Sequence, residues 1–127
     1  MGTFSTELQV GDPQGQRFES VEALVDTGST CTVLSSSLLR RLGVVPHRRS
    51  IFEMGDGRRM ERDIGRTWVR LEDRAEMTIV VFGEENVGPI LGDVTLEEFL
   101  LAVDPVRKRL FPVPGLLMAF TMPESTP

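Results

Sequence analysis

The chain has 127 residues, a formal charge of −5 and charged side chains of both signs. That length sets one domain with a modest core, and an acidic balance without a basic face argues against nucleic acid as a partner. No apolar run approaches the ~20 residues that span a bilayer, the first twenty residues lack a signal-peptide pattern, and Cys31, alone, forms no intrachain disulfide and fits a reducing compartment, so the expectation is a soluble cytoplasmic protein with no membrane partner.

Residues 3 to 10 alternate loosely through Phe4, Thr6, Leu8 and Val10 and end at Gly11-Asp12-Pro13-Gln14-Gly15, a hairpin-type connection. Phe18 to Val25 reads as the returning strand and delivers Asp26 into a tight turn, beyond which Thr32-Val33-Leu34 resumes an extended path. Ser35-Ser36-Ser37, then Leu38, Leu39 and Leu42, then Gly43, predict a short helix with a hydroxyl cap and a glycine stop. Ser50 to Met54 and Arg58 to Ile64 flank Gly55-Asp56-Gly57, and an Asp-Gly step between extended residues is a strong hairpin signal. Thr67 to Leu71 and Ala75 to Phe82 are β-forming runs parted by Glu72-Asp73-Arg74, with Trp68 expected as a core or interface aromatic. A polar connection, Gly83 to Gly88, leads into Pro89-Ile90-Leu91-Gly92. Asp93 to Leu101 predicts a second helix, capped by Asp93 or by Thr95 and Glu98 at capping-box spacing. Val103-Asp104-Pro105 suggests a last hairpin closing near Leu110-Phe111.

Asp26 is the residue best placed for chemistry. A carboxylate on a turn braced by strands keeps its geometry while staying reachable, which suits acid/base work. Thr27 adds a hydroxyl, Gly28 permits close backbone approach, and Ser29 can hydrogen-bond the carboxylate. The same four residues also make an ordinary turn.

Val25-Asp26-Thr27-Gly28-Ser29 resembles the active-site signature of aspartic peptidases, and Pro89-Ile90-Leu91-Gly92 resembles their second hallmark, an apolar pair and a glycine before a short helix. Between them, Met54-Gly55-Asp56-Gly57-Arg58 stands where the flap of the retroviral-type, or retropepsin, branch lies. The resemblance spans about residues 5 to 111. It implies a mainly β fold with two short helices, a closed barrel-like acid-protease lobe over residues 1–111, and an extension over 112–127. Pepsin-like relatives carry two such lobes and two Asp-Thr-Gly turns, whereas this chain has one. Paired carboxylates then require a second copy, and a symmetric homodimer is the commonest closed assembly.

The implied activity is peptide-bond hydrolysis of a peptide or protein substrate by an aspartic-type endopeptidase, with no metal and no cofactor. Two carboxylates sharing one water retain one proton between them, because the second charge is repelled by the first. The charged partner takes a proton from the water, which attacks the scissile carbonyl, while the protonated partner donates toward the carbonyl oxygen. The resemblance gives Asp26 the catalytic role and Thr27, Gly28, Ser29, Ile90, Leu91 and Gly92 supporting ones, with Thr27 bonding across the dimer axis and Gly28 contacting substrate backbone. Met54, Gly55, Asp56, Gly57 and Arg58 become the substrate-binding flap, a mobile cover whose backbone meets the peptide. A Ser29 hydroxyl donating to Asp26 would favour the charged carboxylate and predicts a more acidic optimum than in Ser29→Ala.

Two positions depart from the pattern. Retroviral enzymes often place Asp two residues beyond the active-site Gly and Arg directly after the later Ile/Leu-Gly, and the two pair; here those positions hold Thr30 and Asp93. The apolar tail to Met122 either meets a second subunit or packs back on its own domain, with Pro123 to Pro127 expected to be disordered. Alternative readings are a catalytically weak or inactive peptide- or protein-binding module of the same fold, and a cysteine enzyme built on Cys31 and His47, the only His.

Overall fold

Leu8, Val10, Ala23 and Val25 alternate with more exposed neighbours, and these four turn inward when β1 (Ser5–Gly11) pairs antiparallel with β2 (Phe18–Val25). The computed structural model describes residues 4–124. Asp12 holds the connecting loop: its Oδ1 accepts the N–H groups of Gln16 and Arg17 at 2.7 and 2.9 Å. Gly15, at a left-handed φ of 69°, lies under Trp68, and a Cβ there would stand 3.1 Å from the indole. Trp68 is thus a half-buried cover for this turn.

The Arg17 N–H holds the Asp12 carboxyl below its ordinary range, with burial opposing and the Gln16 N–H adding to the effect. A depressed carboxylate stabilises the fold above its unfolded-state value, about pH 4, and that contribution is lost as pH falls through the lower folded-state value. Asp12→Ala is therefore expected to lower the thermal midpoint at neutral pH, and the gap from wild type should narrow below about pH 4. Thermal melts from pH 7 down to pH 2 check this.

β3 (Thr32–Ser35) leads into α1 (Ser36–Arg41). Ser35 is the N-cap, its hydroxyl accepting the Leu38 N–H at 3.2 Å, and Gly43 at φ 82° ends the turn, as the hydroxyl-first, glycine-last pattern predicts. β4 (Arg48–Glu53) and β5 (Arg59–Leu71) form the hairpin around Gly55-Asp56-Gly57, and β5 pairs onward with β6 (Arg74–Gly83). β5 is one strand where the sequence suggests two. Gly65 explains the difference: a Cβ there would meet Phe82 and Val44 at 3.1 Å, so the glycine accommodates close packing and does not break the strand.

β7 (Ile90–Leu91) is short but central, pairing parallel with β2 and antiparallel with β3. The strand order is β1-β2-β7-β3-β6-β5-β4, and β5 also pairs with β1 through Gln9 opposite Arg70 and Val10 opposite Val69. The sheet therefore closes on itself, with β4 outside the ring. Its interior holds Leu8, Val10, Ala23, Leu34, Val69, Val80, Phe82 and Leu91, with Leu38 and Leu39 of α1 in the same core. The fold is mainly β with two short helices.

α2 (Asp93–Glu98) differs from expectation at both ends. Its N-cap is Gly92, with no side-chain cap, and neither Asp93 nor the Thr95–Glu98 pair serves. The N–H groups of Asp93 and Val94 instead donate to the carbonyls of Ser29 and Thr30 at 2.8 and 3.0 Å. The helix ends at Glu98 because Leu100 takes a left-handed φ of 55° and turns the chain into β8 (Leu101–Asp104), which pairs with β9 (Arg109–Pro112). Beyond the Val113 N–H, which donates to Leu100, the tail has no regular structure. Leu116, Leu117 and Met118 are 92%, 96% and 93% exposed, so this segment does not pack back on its own domain. Of the end expected to be disordered, residues 125–127 lie outside the described residues, as do residues 1–3.

Candidate active site

Asp26 leaves β2 half-buried, on a turn that is tied down on several sides. The backbone N–H of Asp26 donates to the Leu91 carbonyl at 3.1 Å, and the preceding Val25 N–H donates to Phe4 at 2.8 Å. Within the turn, Ser29 N–H donates to the Asp26 carbonyl at 3.1 Å and Gly28 N–H to Asp26 Oδ1 at 2.9 Å. The N-terminus of α2 closes the turn from behind through Ser29 and Thr30, the two carbonyls named above. Ile90, Leu91 and Gly92 thus lie directly against the Asp26 segment, while Thr27 and Gly28 are exposed at its outer edge. Thr30 and Asp93, the positions that depart from the retroviral pattern, are joined to this junction through backbone groups.

Ser29 does not bond the carboxylate. Its hydroxyl donates to the Cys31 carbonyl at 2.8 Å, bracing the loop, so the acid shift expected from Ser29 has no basis in the geometry. Cys31 is buried, and burial pushes its thiol up, with Arg48 opposing, which is the reverse of what a thiolate nucleophile needs. His47 is exposed, and no hydrogen bond joins it to Cys31 among the described residues.

The hairpin tip is built as its composition suggests. Met54 N–H donates to Arg58 at 2.7 Å, Gly57 adopts φ 89°, and a Cβ on Gly55 would meet nothing within 4 Å. Asp56 and Arg58 pair with each other at 2.7 Å, so these tip charges are matched locally. Among the described residues, no hydrogen bond links Met54, Gly55, Asp56, Gly57 or Arg58 to the Asp26 turn.

Strand register joins to Ile90 four residues that the sequence did not give a site role: Leu24, Val33, Val81 and Ile64. Leu24 stands opposite Ile90, Ile90 opposite Val33, Val33 opposite Val81, and Val81 opposite Ile64. Directly paired residues share a face of a sheet, and the alternate residues on these strands, Val25, Leu91, Leu34, Val80 and Phe82, fill the core. The five therefore form an apolar row on the opposite face, starting two residues before Asp26 and reaching the strand that carries the hairpin. On that strand Met60, opposite Phe52, shares the face of Ile64. The signal was present in strands that are apolar at both parities. Separately, a cleft of about 460 Å³ opens beside Asp26 and Thr27, walled by Asp93, Leu96, Leu101 and Val103. Among the described residues, no three His, Cys, Asp or Glu side chains gather as a metal ion would require.

A family model described as aspartyl protease matches residues 7–95, a span holding the Asp26 turn, the hairpin and the Ile90-Leu91-Gly92 step. The chain belongs to the aspartyl protease family. Among solved structures, this aspartyl protease chain is similar to the simian foamy virus (mac) protease, with 14% identity and a TM-score of 0.54 over 76% of this chain and 94% of that one. It is also similar to the retroviral protease-like domain of Ddi1 from Leishmania major, at 20% identity and a TM-score of 0.55 over 88% and 89% of the two chains. At these identities the likeness carries the fold, which is retropepsin-like. No curated protein matches the sequence.

Proposed function

We propose that the chain is one half of a homodimeric aspartic endopeptidase of a reducing, cytoplasmic compartment, with Asp26 of each subunit as the catalytic pair. The observation that carries this is one braced, half-exposed carboxylate per chain on a turn whose outer residues, Thr27 and Gly28, lie open to a second subunit. In the dimer the two Asp26 carboxylates share a water and one proton. The ionised group accepts a proton from the water as it attacks the scissile carbonyl, and the protonated one donates toward the carbonyl oxygen. Thr27 braces the pair across the axis, and Gly28, without a side chain, lets substrate backbone approach. The hairpin around Gly55-Asp56-Gly57 closes over the peptide as a flap, excluding water and adding main-chain hydrogen bonds.

The substrate is a peptide or protein segment with apolar side chains near the cleavage point, because Leu24, Ile90 and Val33 are half-buried apolar side chains beside Asp26, backed in the same row by the buried Val81 and Ile64. Residues 1–111 carry this lobe, and within the 112–127 extension the exposed Leu116, Leu117 and Met118 supply apolar area for the subunit contact.

Hydrolysis of a mixed peptide library tests the proposal, measured from acid to neutral pH over a range of protein concentrations. The expected result is cleavage beside Leu, Phe or Met, with a rate rising faster than linearly with protein at low concentration. Val33→Ala should lower kcat/KM about tenfold for such peptides, since each lost methylene contact is worth a factor of this order. A rate linear in protein across all concentrations would overturn the dimeric site. A chain that dimerises and binds these peptides without cutting them would instead be a binding module.

A further inference from the structure

Thr32, Thr78 and Thr95 are fully buried and come from three different elements, yet each has its hydroxyl satisfied. Gly92 N–H donates to Thr32 Oγ1 at 3.1 Å, Thr32 and Thr95 hydroxyls lie 2.7 Å apart, and Thr95 and Thr78 hydroxyls lie 2.8 Å apart. Thr78 then donates to Glu98 Oε1 at 2.5 Å. The direction of each link follows from proton count. Each hydroxyl has one proton to give. Thr78 spends its proton on Glu98 and must accept from Thr95, so Thr95 must accept from Thr32. The order is fixed from the Glu98 end: Gly92 N–H to Thr32, to Thr95, to Thr78, to Glu98.

The two ends of one peptide group give this chain its importance. The Leu91 carbonyl accepts the Asp26 N–H, and the Gly92 N–H, on the other side of the same planar unit, is held by Thr32. Turning that plane would move the acceptor on which Asp26 rests. We infer that Thr95 is a positioning residue, which locks the Leu91–Gly92 peptide plane through Thr32, with Thr78 and Glu98 ending the chain of bonds, and thereby fixes the backbone of Asp26. The inference rests on the peptidase reading for its consequence in catalysis, though not for its structural content. The hydroxyl chain in a dry interior is cooperative, and removing a middle member leaves a donor and an acceptor unmatched.

Thr95→Val keeps the shape and deletes the hydroxyl, Thr95→Ser restores it, and Glu98→Gln keeps an acceptor oxygen. For Thr95→Val, kcat should fall about tenfold with KM changed by less than about twofold, and amide hydrogen exchange at Asp26 and Gly92 should quicken about tenfold relative to Val10 and Val80. Thr95→Ser and Glu98→Gln should stay within about threefold of wild type on both readouts. Unchanged kcat with unchanged exchange at Asp26 would overturn the inference, as would a uniform quickening of all core amides with a lowered thermal midpoint and normal kcat in the folded fraction. Should the wild-type chain cleave nothing, the peptidase reading fails by itself. Exchange then decides alone: selective quickening at Asp26 and Gly92 supports the positioning role, and its absence removes it.

Discussion

Asp26→Asn is expected to reduce peptide hydrolysis by on the order of 10³-fold or more, since the substitution removes proton transfer at the reacting water from both subunits at once. The fold should survive. Among the described residues, the only side-chain hydrogen bond of Asp26 is the one its Oδ1 accepts from Gly28 N–H, and an Asn oxygen accepts the same bond. The thermal midpoint of the variant should match wild type within a few degrees, so that lost activity reports chemistry. Mixing gives a sharper test of shared sites. If subunits exchange freely, an equal mixture of wild type and Asp26→Asn places wild-type chains on both sides in about one quarter of the dimers, so activity per wild-type chain falls by about half. Activity per wild-type chain that ignores the added variant would mean that each chain works alone. Cleavage persisting in pure Asp26→Asn would mean that another group does the chemistry.

Gly92→Ala should produce the largest loss of stability from a single methyl group. Gly92 has an ordinary extended conformation, φ −95° and ψ 176°, so its need for glycine is spatial and not conformational. A Cβ there collides with the Cys31 carbonyl and stands 2.8 Å from the Thr32 nitrogen, both backbone atoms that cannot swing aside. Relief requires α2 to move off the Ser29–Thr32 segment or that segment to move off α2. Either shift breaks bonds that seat Asp26. Overpacking of this kind costs about 3 kcal/mol, or about 10 °C in a domain of this size. Gly88→Ala is the control, since a Cβ at Gly88 meets nothing within 4 Å and should change the midpoint little. Thermal melts of both variants decide the matter; equal midpoints would show that the junction of α2 and the Asp26 turn is softer than its contacts suggest.

The strands and both hairpin turns around them were legible because their signals are local. Alternation in β1 and β2, the serine cap and glycine stop of α1, and the Asp-Gly step of the β4–β5 hairpin each depend on residues within a few positions. The seat of Asp26 was legible only through resemblance, since nothing in residues 23 to 34 announces that Leu91 will lie beneath them. What escaped reading depends on partners far along the chain. α2 carries no capping side chain because carbonyls of Ser29 and Thr30 do that work, and no rule about spacing within a helix can find them. Ser29 was expected to bond the nearest carboxylate, but the turn aims its hydroxyl at Cys31. Thr95 was read as a capping-box residue, and Thr32 and Thr78 only as parts of extended runs, until the fold placed all three in one dry cluster. The break expected in β5 failed because a glycine has two uses, and here close packing was the one in force.

The junction between the Asp26 turn and residues 89 to 94 also sets when the turn takes its shape. During synthesis Asp26 emerges before its seat: the carbonyl that receives its N–H belongs to Leu91, 65 residues later, and the helix that closes the turn follows that. Pairings over such separations form late in folding, because the intervening loop must close first. A nascent chain therefore carries Asp26 without the backbone platform that holds it until residue 94 is free to fold back. A chain cut short before Asp93 would keep the Asp-Thr-Gly letters and lose their geometry.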